Sequence, residues 1–257
     1  TGKPRRRKNL VSFRDGLDRL PVSLADRLGE RYHASTRIMD IKSLGPDQGF
    51  AVNTMTADGN SCRWEARDLV IAAEADRAAE WLEGLDSEIA ATLRSFPYNR
   101  LVAVGLGIDS TEARIPVGFG FLAPRNQGVR ILGTIVNSNF LPGRAPKGCA
   151  AMTIFIGGDL DQSAYELDDD EITGLVKRDL RKALGWNGQP RSLHIERWPR
   201  AIPQYDMRHG ARLSQIDAAE GRWPGLHLLG NWRGGVSIGD RVDTTARLSQ
   251  KILERRA

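Results

Sequence analysis

The sequence predicts a mixed α/β (α+β) fold in which a β-rich segment interrupts an α/β segment. Residues 68–73 are apolar on both faces, which is typical of a parallel strand covered by helices. Between residues 101 and 156, short β-branched runs are punctuated by Gly and Pro, which favours an antiparallel sheet. A second apolar run, 226–229, leads through a glycine-rich loop into a helical pattern. This order indicates one domain inserted into another.

Length and composition are those of an ordinary globular protein with one or two domains. The chain has 257 residues, of which 40% are hydrophobic and 27% are charged. No apolar run reaches the roughly 20 residues needed to span a bilayer. Small disulfide-stapled scaffolds and membrane-spanning proteins are therefore disfavoured.

The net charge of +5 comes from one short stretch. Residues 3–8 contain five positive charges, so the remainder of the chain is neutral overall. We predict that residues 1–9 form an exposed basic linker, and that nucleic acid is not a partner. Cys62 and Cys149 form no CxxC pair, which disfavours a metal site and a secreted disulfide framework. A reducing, cytoplasmic location follows as the expectation, with peripheral attachment to a membrane as an alternative.

The first elements are a helix and a small β-meander. Leucines at helical spacing predict the helix, with Pro21 in its first turn and Gly29 at its end. These leucines are Leu17, Leu20, Leu24 and Leu28. Alternating residues from Ile38 onward, with turns at 45–49 and 58–59, predict the meander. The buried strand 68–73 follows, and a helix begins over 78–82.

For the middle and end of the chain, the sequence predicts several strands, one long helix and a closing α/β unit. The predicted strands are 101–108, 119–122, 129–136 and 151–156. Acidic residues at 168–171 and basic residues near the other end bracket a helix that stops at Gly185. A strand at 193–198 and a proline-rich loop then lead to the strand 226–229 and to a helix over 240–253.

Local motifs exclude several kinds of site. The chain has no GxGxxG, and residues 143–148 have phosphate-loop spacing but continue with Cys149 in place of lysine. None of the four histidines belongs to an HExxH, and Ser237 lies in no GxSxG. A metallohydrolase and a serine hydrolase are both disfavoured.

The loop 230–240, GNWRGGVSIGD, is the most informative stretch. It joins a strand to a helix, and its glycines allow backbone amides to approach a ligand closely. The amino end of a helix also attracts anions. Two interpretations stay open: a loop that touches a dinucleotide phosphate or a flavin edge, and a structural turn in which Asp240 is the helix N-cap.

Together with four other segments, this loop resembles the protoporphyrinogen and coproporphyrinogen oxidases, which are FAD enzymes of haem synthesis. The other segments are 118–125, 131–134, 140–146 (FLPGRAP) and 197–205 (RWPRAIPQY). They occur in the family's order, and the resemblance covers roughly residues 9–251.

The resemblance implies the architecture of the flavin amine oxidases. In these enzymes a discontinuous, Rossmann-like FAD-binding domain holds an inserted substrate domain that is mainly antiparallel β. Residues 10–95 and 226–257 would be pieces of the FAD domain, and residues 96–225 the substrate-binding domain. The family's amino-terminal unit, with its GxGxxG and a substrate-binding arginine, would precede this chain. The implied partner is that amino-terminal FAD-binding half or the rest of a longer chain, and a homodimer is a further option.

Five residues are implied at the FAD cofactor. Ile38 corresponds to the strand that passes the adenine end, and Trp198 to a tryptophan near the flavin. Val236, Ser237 and Ile238 correspond to the loop that touches the flavin and the ribityl chain. On sequence alone, each would also suit an ordinary core or turn position.

Three apolar residues are implied at the tetrapyrrole: Leu122, Ile135 and Phe155. A flat, apolar macrocycle needs broad apolar walls, and Phe can stack on a pyrrole ring. Its propionates need cations, and the unassigned candidates are Arg125, Arg144 and Arg200. We assign no catalytic acid or base, because the flavin carries the hard chemistry.

The implied activity is oxidation of a porphyrinogen, protoporphyrinogen IX or coproporphyrinogen III, to the porphyrin, with oxygen as acceptor. Two alternatives stay open: a non-catalytic tetrapyrrole-binding module, and another flavin amine oxidase such as a carotenoid desaturase or monoamine oxidase relative. Asp15 stands where many members have glycine, and Arg241 where cysteine is common. Without the preceding unit, strand 68–73 should expose an apolar face, and the chain should self-associate as its concentration rises.

Overall fold

The computed structural model describes residues 11–45 and 47–256, so the predicted linker 1–9 lies outside the described residues. The chain divides into two compact units. Unit 1 contains the described residues up to Tyr32 together with 100–199, and unit 2 contains 33–99 and 200 onward.

The described residues form α-helices and β-strands in a mixed order. The helices are α1 (Arg19–Leu28), α2 (Ala75–Leu82), α3 (Ser87–Arg94), α4 (Asn137–Phe140), α5 (Asp169–Leu184), α6 (His209–Arg222) and α7 (Ile238–Arg256). The strands are β1 (Thr36–Gly45), β2 (Gly49–Thr56), β3 (Ser61–Ala66), β4 (Leu69–Ala72), β5 (Tyr98–Asp109), β6 (Gly120–Leu122), β7 (Ile131–Val136), β8 (Cys149–Gly157), β9 (Ser192–Pro203) and β10 (Leu226–Leu229). The predicted mixed fold with an antiparallel sheet is confirmed.

Unit 1 is built on a five-stranded sheet in the order β6-β7-β8-β5-β9. β8 pairs antiparallel with both β5 and β7. Apolar side chains on one face of this sheet pack with those of α5 into a single core, which includes Val104, Ile154 and Leu180. The side chains of β5 alternate between buried and half-buried along the strand, as expected for a sheet covered on one face.

Helix α5 has the cap residues that its sequence pattern predicts. Asp168 accepts a hydrogen bond from the Glu171 amide, and the Glu171 side chain accepts one from the Asp168 amide. Gly185 ends the helix in the left-handed conformation, at φ 68°. The predicted acidic start and glycine stop are both confirmed.

Unit 2 combines three small layers. The meander β1-β2-β3 is antiparallel, and β4 pairs in parallel with β10. Around the parallel pair, helices α2, α3 and α6 contribute to one core with the fully buried Leu82, Leu93, Phe96, Ile216 and Trp232. Two strands rarely form a stable sheet alone, so the helices supply most of the apolar burial in this unit.

The structural units divide at other positions than the domain boundaries predicted from sequence. Residues 11–32 belong to unit 1, and residues 200–225 belong to unit 2 rather than to the inserted segment. The second difference has a clear cause, because Ile216 and Ala219 of α6 are buried in the unit 2 core. The assignment of units to cofactor and substrate stays a prediction.

Three helices, α3, α6 and the four-residue α4, are not predicted by the sequence pattern. Helix α6 buries only Ile216 and Ala219 and contains Gly210 and Gly221, so its apolar periodicity is weak. β9 also runs five residues further than predicted, from Trp198 to Pro203. The region predicted to be a proline-rich loop is therefore the end of a strand followed by a helix.

Strand 68–73 exposes an apolar face as predicted, but that face consists of only a few small side chains. Val70 is 42% exposed and Ala72 is exposed, whereas Ile71 is 4% exposed and belongs to the core. The first helix is exposed as well: α1 starts at Arg19 and buries none of its residues. Self-association of the chain stays a prediction.

Candidate functional site

The five-stranded sheet of unit 1 has a second face, opposite the face that packs on α5, which we call the open face. Residues of one strand alternate between the two faces. Because Val102, Val104, Ile154 and Ile156 point into the α5 core, their strand neighbours point the other way. In β5 and β8 these neighbours are Ala103, Gly105, Gly107, Ala151, Thr153 and Phe155. Apart from Phe155, the centre of the open face is therefore lined by small residues.

All three predicted substrate residues lie on the open face. Gly133 of β7 pairs with Leu122 on one side and with Phe155 on the other, so these residues share a face. Ile135 is two residues further along β7 and points the same way. Leu122 is 85% exposed, whereas Ile135 and Phe155 are half-buried. Their shared position comes from strand register, which the sequence does not reveal.

Trp198 of β9 lies on this face too. A Cβ added to Gly105 would lie 3.9 Å from the His194 Cβ, which puts His194 on the open face. Trp198 is four residues further along the same strand and is 48% exposed, while Leu193 and Ile195 pack on the α5 side. Aromatic and aliphatic side chains thus border a floor of small residues.

A cleft of about 540 Å³ lies over this floor. Gly105, Gly107, Ala151 and Thr153 contribute to its walls, together with Leu17 from the segment before α1. Polar residues such as Ser12, Asn137 and Arg144 also line the cleft. The floor of small residues, beside the apolar side chains of the open face, suits a flat molecule that stacks on it.

Hydrogen bonds from the side chains of Trp232 and Arg241 fix the glycine-rich loop 230–239 of unit 2. The Trp232 side chain is fully buried, and its indole donates a hydrogen bond of 3.1 Å to the Ala73 carbonyl at the end of β4. A Cβ on Gly230 would lie 2.1 Å from the Trp232 Nε1 atom, so only glycine fits there. The Arg241 guanidinium donates to the carbonyls of Gly230 and Arg233. Where cysteine is common in the resembling family, this chain has a cation that binds the loop backbone.

Two tyrosines also contact this loop. The Tyr205 hydroxyl donates to the Asn231 carbonyl at 2.8 Å and accepts from the Gly235 amide at 3.2 Å. The Tyr98 hydroxyl lies 3.3 Å from the Asn231 side-chain oxygen, and burial raises the Tyr98 pKa. Tyr205 stacks on His209 at 3.9 Å, and burial together with nearby Arg212 lowers the His209 pKa. These contacts give a structural role to the Pro-Gln-Tyr motif.

The start of α7 corrects the expected cap. The Ser237 hydroxyl accepts from the Asp240 amide at 3.1 Å, and the Asp240 carboxylate accepts from the Ser237 amide at 3.2 Å. Ser237 is therefore the N-cap, and Asp240 occupies the third helical position instead of the cap. The carboxylate also occupies the helix end that would otherwise attract an anion, which favours a flavin edge over a phosphate there.

Val236 and Ile238 flank the capping serine and are 52% and 50% exposed. Gly234 and Gly235 precede them at φ 76° and 111°, conformations that keep side chains off this surface. The predicted residues Val236, Ser237 and Ile238 are thus together and accessible. This surface fits the flavin part of FAD, whereas the chain contains no GxGxxG to hold its pyrophosphate.

The remaining candidates have other neighbours. Ile38 lies in β1 opposite Thr54 and packs on the unit 2 core, so its role at the cofactor stays a prediction. The Arg200 guanidinium lies 3.1 Å from the Asp76 carboxylate and 4.1 Å over the Tyr98 ring. These contacts engage Arg200 within unit 2.

Comparison with known proteins identifies the family. Residues 4–251 match the family described as flavin containing amine oxidoreductase. The chain belongs to this family. The flavin in the description confirms the predicted FAD cofactor for the family.

Curated relatives are named as porphyrinogen oxidases. A chloroplastic protoporphyrinogen oxidase 1 of Spinacia oleracea is 32% identical over 95% of this chain and 45% of its own length. A coproporphyrinogen III oxidase of Bacillus subtilis is 28% identical over 72% of this chain and 39% of its own. The resemblance inferred from the motifs is confirmed, and the chain spans about half the length of these relatives.

Solved structures show the same fold. A protein of Exiguobacterium, described as a candidate protoporphyrinogen oxidase, superposes with a TM-score of 0.74 at 18% identity and covers 94% of this chain and 51% of its own. A putrescine oxidase gives a TM-score of 0.70 at 14% identity, over 94% of this chain and 53% of its own. Among the described residues, no helix is long and apolar enough to cross a membrane.

Proposed function

We propose that this chain is the substrate-binding and flavin-contacting portion of an FAD-dependent porphyrinogen oxidase. The observation that carries the proposal is the open face, where Leu122, Ile135, Phe155 and Trp198 surround a floor of glycine and alanine. The names of the curated relatives support a porphyrinogen as the substrate.

The chain's own residues would bind and orient the macrocycle. Phe155 and Trp198 offer aromatic faces for stacking, and Leu122 and Ile135 add aliphatic walls that exclude water. FAD, when bound, would accept the hydride from a methylene carbon, and oxygen would regenerate it. Val236, Ser237 and Ile238 would contact the flavin, with Arg241 and Tyr205 holding their loop.

We further propose that a GxGxxG-bearing amino-terminal half completes the cofactor site. Support comes from the parallel sheet β4–β10, which has two strands within the described residues and exposes Val70. Parallel sheets are normally larger and covered on both faces. The cytoplasmic location inferred from cysteine usage and the option of a homodimer belong to this proposal as well.

The test is a flavin absorbance titration of the purified chain with FAD, repeated with a separately produced amino-terminal half of a curated relative. We expect bound, reducible FAD only when the half is present. Flavin binding by the chain alone would show that the loop 230–239 and its neighbours bind FAD without the amino-terminal half. Absence of flavin in both titrations would contradict the oxidase proposal.

A second candidate function is a tetrapyrrole-binding module without redox chemistry. The open face favours it, because that face is built entirely from residues of unit 1, whereas the chain lacks the dinucleotide motif. It requires porphyrin binding without flavin, measurable as quenching of tryptophan fluorescence by coproporphyrin III. The variant Phe155→Ala should weaken that binding, whereas Phe119→Ala, outside the sheet, should not.

A further inference from the structure

A second cleft in unit 1, which we call the cationic cleft, has a volume of about 550 Å³. It lies where β5 ends and β8 and β9 begin, and Arg144, Lys147 and Arg191 contribute to its lining. Among the described residues that line it, Asp109 is the one with an acidic side chain. The cleft therefore carries a local excess of positive charge although the chain body is neutral overall.

The single carboxylate is already committed. One Asp109 oxygen accepts from the Thr111 amide at 3.0 Å and from the Thr111 hydroxyl at 2.7 Å, and the other accepts from Arg191 at 3.0 Å. The hydrogen bonds from Thr111, followed by that from Arg191, lower the Asp109 pKa to about 2. Asp109 thus stays ionised, fixes the Arg191 guanidinium at the cleft, and leaves the charges of Arg144 and Lys147 for a ligand.

Hydrogen bonds also hold the Arg144 side chain and the turn that carries Lys147. Arg144 donates one hydrogen bond to the Phe13 carbonyl at 3.0 Å, which leaves further guanidinium N–H groups for other acceptors. Lys147 is exposed on the turn before Gly148, and the Ser110 amide and hydroxyl both bind the Gly148 carbonyl at 2.9 Å. The turn fixes the backbone that carries Lys147, and the flexible lysine side chain can extend its ammonium group toward an anion.

The cationic cleft is continuous with the open face. Gly107, Arg144, Ala151 and Ser192 line both the cationic cleft and the 540 Å³ cleft over the small-residue floor. A flat ligand on the floor can therefore extend an acidic side arm past Gly107 into the cationic cleft. An acidic arm that reaches the cationic cleft would be covalently attached to the ring that stacks on the floor. This continuity favours a carboxylate arm over a free phosphate as the ligand of the cleft.

We propose that the cationic cleft binds carboxylate side arms of the macrocycle that stacks on the open face, with Arg144, Lys147 and Arg191 as the specificity-determining residues. The inference rests on the proposed function and adds to it a preference for macrocycles with acidic arms at this edge. Guanidinium groups bind carboxylates in pairs of parallel hydrogen bonds, and the lysine adds a point charge.

The test uses two porphyrins that share one macrocycle and differ in whether their side arms carry carboxylate charges. Wild-type protein is titrated with coproporphyrin III and with its tetramethyl ester, and tryptophan quenching gives both dissociation constants at fixed ionic strength. The variant Lys147→Glu should weaken coproporphyrin III binding by about fivefold or more and leave the ester unchanged. The matched control Lys182→Glu makes the same charge change on α5, which covers the opposite face of the sheet, and should alter neither constant.

The outcomes separate this inference from the proposal beneath it. If the wild type binds both porphyrins and Lys147→Glu alters neither dissociation constant, the cationic cleft is not the carboxylate site. The proposal that the open face binds the macrocycle is unaffected by that result. Equal weakening of acid and ester would also overturn the inference, since a charge-specific contact cannot affect the neutral ester. If the wild type binds neither porphyrin, the proposed function fails and the inference fails with it.

Discussion

Two of the three sheets in the described residues bury their apolar side chains in different ways. The five-stranded antiparallel sheet of unit 1 is covered on one face by α5, and its open face borders the 540 Å³ cleft. The parallel pair of unit 2 has two strands, and its core depends on helices from distant parts of the chain. An antiparallel sheet can keep one face exposed, whereas parallel strands are normally buried on both. The difference supports the proposal that strands from an amino-terminal half extend the parallel pair of unit 2.

The largest effect is expected from Asp179 in unit 1, whose side chain is 1% exposed. One of its oxygens accepts from the amides of Arg130 and Ile131 at 2.6 and 3.1 Å, where β7 begins. Asp179→Ala would bury two amides without acceptors and should cost about 3 kcal/mol in guanidinium unfolding. The control Asp170→Ala, exposed on the same helix, should cost far less. Hydrogen exchange should rise in unit 1 only, and an equal rise in unit 2 would show that the two units do not unfold independently.

The next effect concerns the parallel pair. Gly225 has φ 95°, and an added Cβ would lie 2.2 Å from the Arg67 carbonyl oxygen. Its own carbonyl accepts from the Leu69 amide at 2.8 Å, so a shift there disturbs the start of β4. Gly225→Ala should cost roughly 2 kcal/mol. Gly221→Ala, in α6 with open space around it, should instead stabilise by about 0.5 kcal/mol or more. Faster exchange confined to unit 2 would support the comparison.

A smaller loss of stability is expected at acidic pH, when one carboxylate in each unit becomes protonated. Burial would raise the Asp86 pKa, but hydrogen bonds from the Ile89 amide, Trp223 and Arg222 outweigh it and keep it below its usual value. The hydrogen bond from Arg130 lowers the Asp161 pKa. Both contributions are therefore present above the unfolded pKa of about 3.9 and are lost as the pH falls through the lower folded pKa.

Asp86→Asn and Asp161→Asn should each cost about 1 kcal/mol at pH 7 and progressively less as the pH falls below 4. Urea unfolding of the wild type and both variants between pH 2 and 7 measures this. A variant whose stability deficit stays constant over that range would show that its carboxylate charge contributes nothing.

The smallest effect on stability is expected from Val70, the exposed residue of β4. Val70→Lys should change the free energy of unfolding by less than about 0.5 kcal/mol, because the side chain is already 42% exposed. The same change should abolish association with the amino-terminal half, measured by size-exclusion chromatography. Val117→Lys, fully exposed in unit 1, is the control and should leave association intact. Normal association of Val70→Lys would remove the proposed role of β4.

Much of the fold was predictable where local signals agreed. Helix α5 has acidic residues at its start, basic residues at its end and a glycine stop, and all three appear in the structure. Helix α6 lacked such signals, since two glycines interrupt it and only Ile216 and Ala219 are buried. Its position is determined by the distant core of unit 2, and a short sequence window cannot report that.

The site was predictable in part for the same reason. Leu122, Ile135 and Phe155 came from the family resemblance, and their common face follows from register through Gly133. The cap at Ser237 depends on side-chain geometry that the motif leaves open. The cationic cleft combines residues from separate strand ends, such as Lys147 and Arg191, so no spacing rule could have found it.

The parallel pairing of β4 with β10 also sets the order in which the protein can assemble. Residues 73–225 separate the two strands, and closing so long a loop before any contact forms is entropically unfavourable. The inserted segment removes most of that cost once folded, because its two ends are neighbours: the Gln204 amide donates to the Pro97 carbonyl at 2.8 Å. We therefore expect the antiparallel sheet to fold first during synthesis, and the parallel pair to close only after the ribosome has released β10.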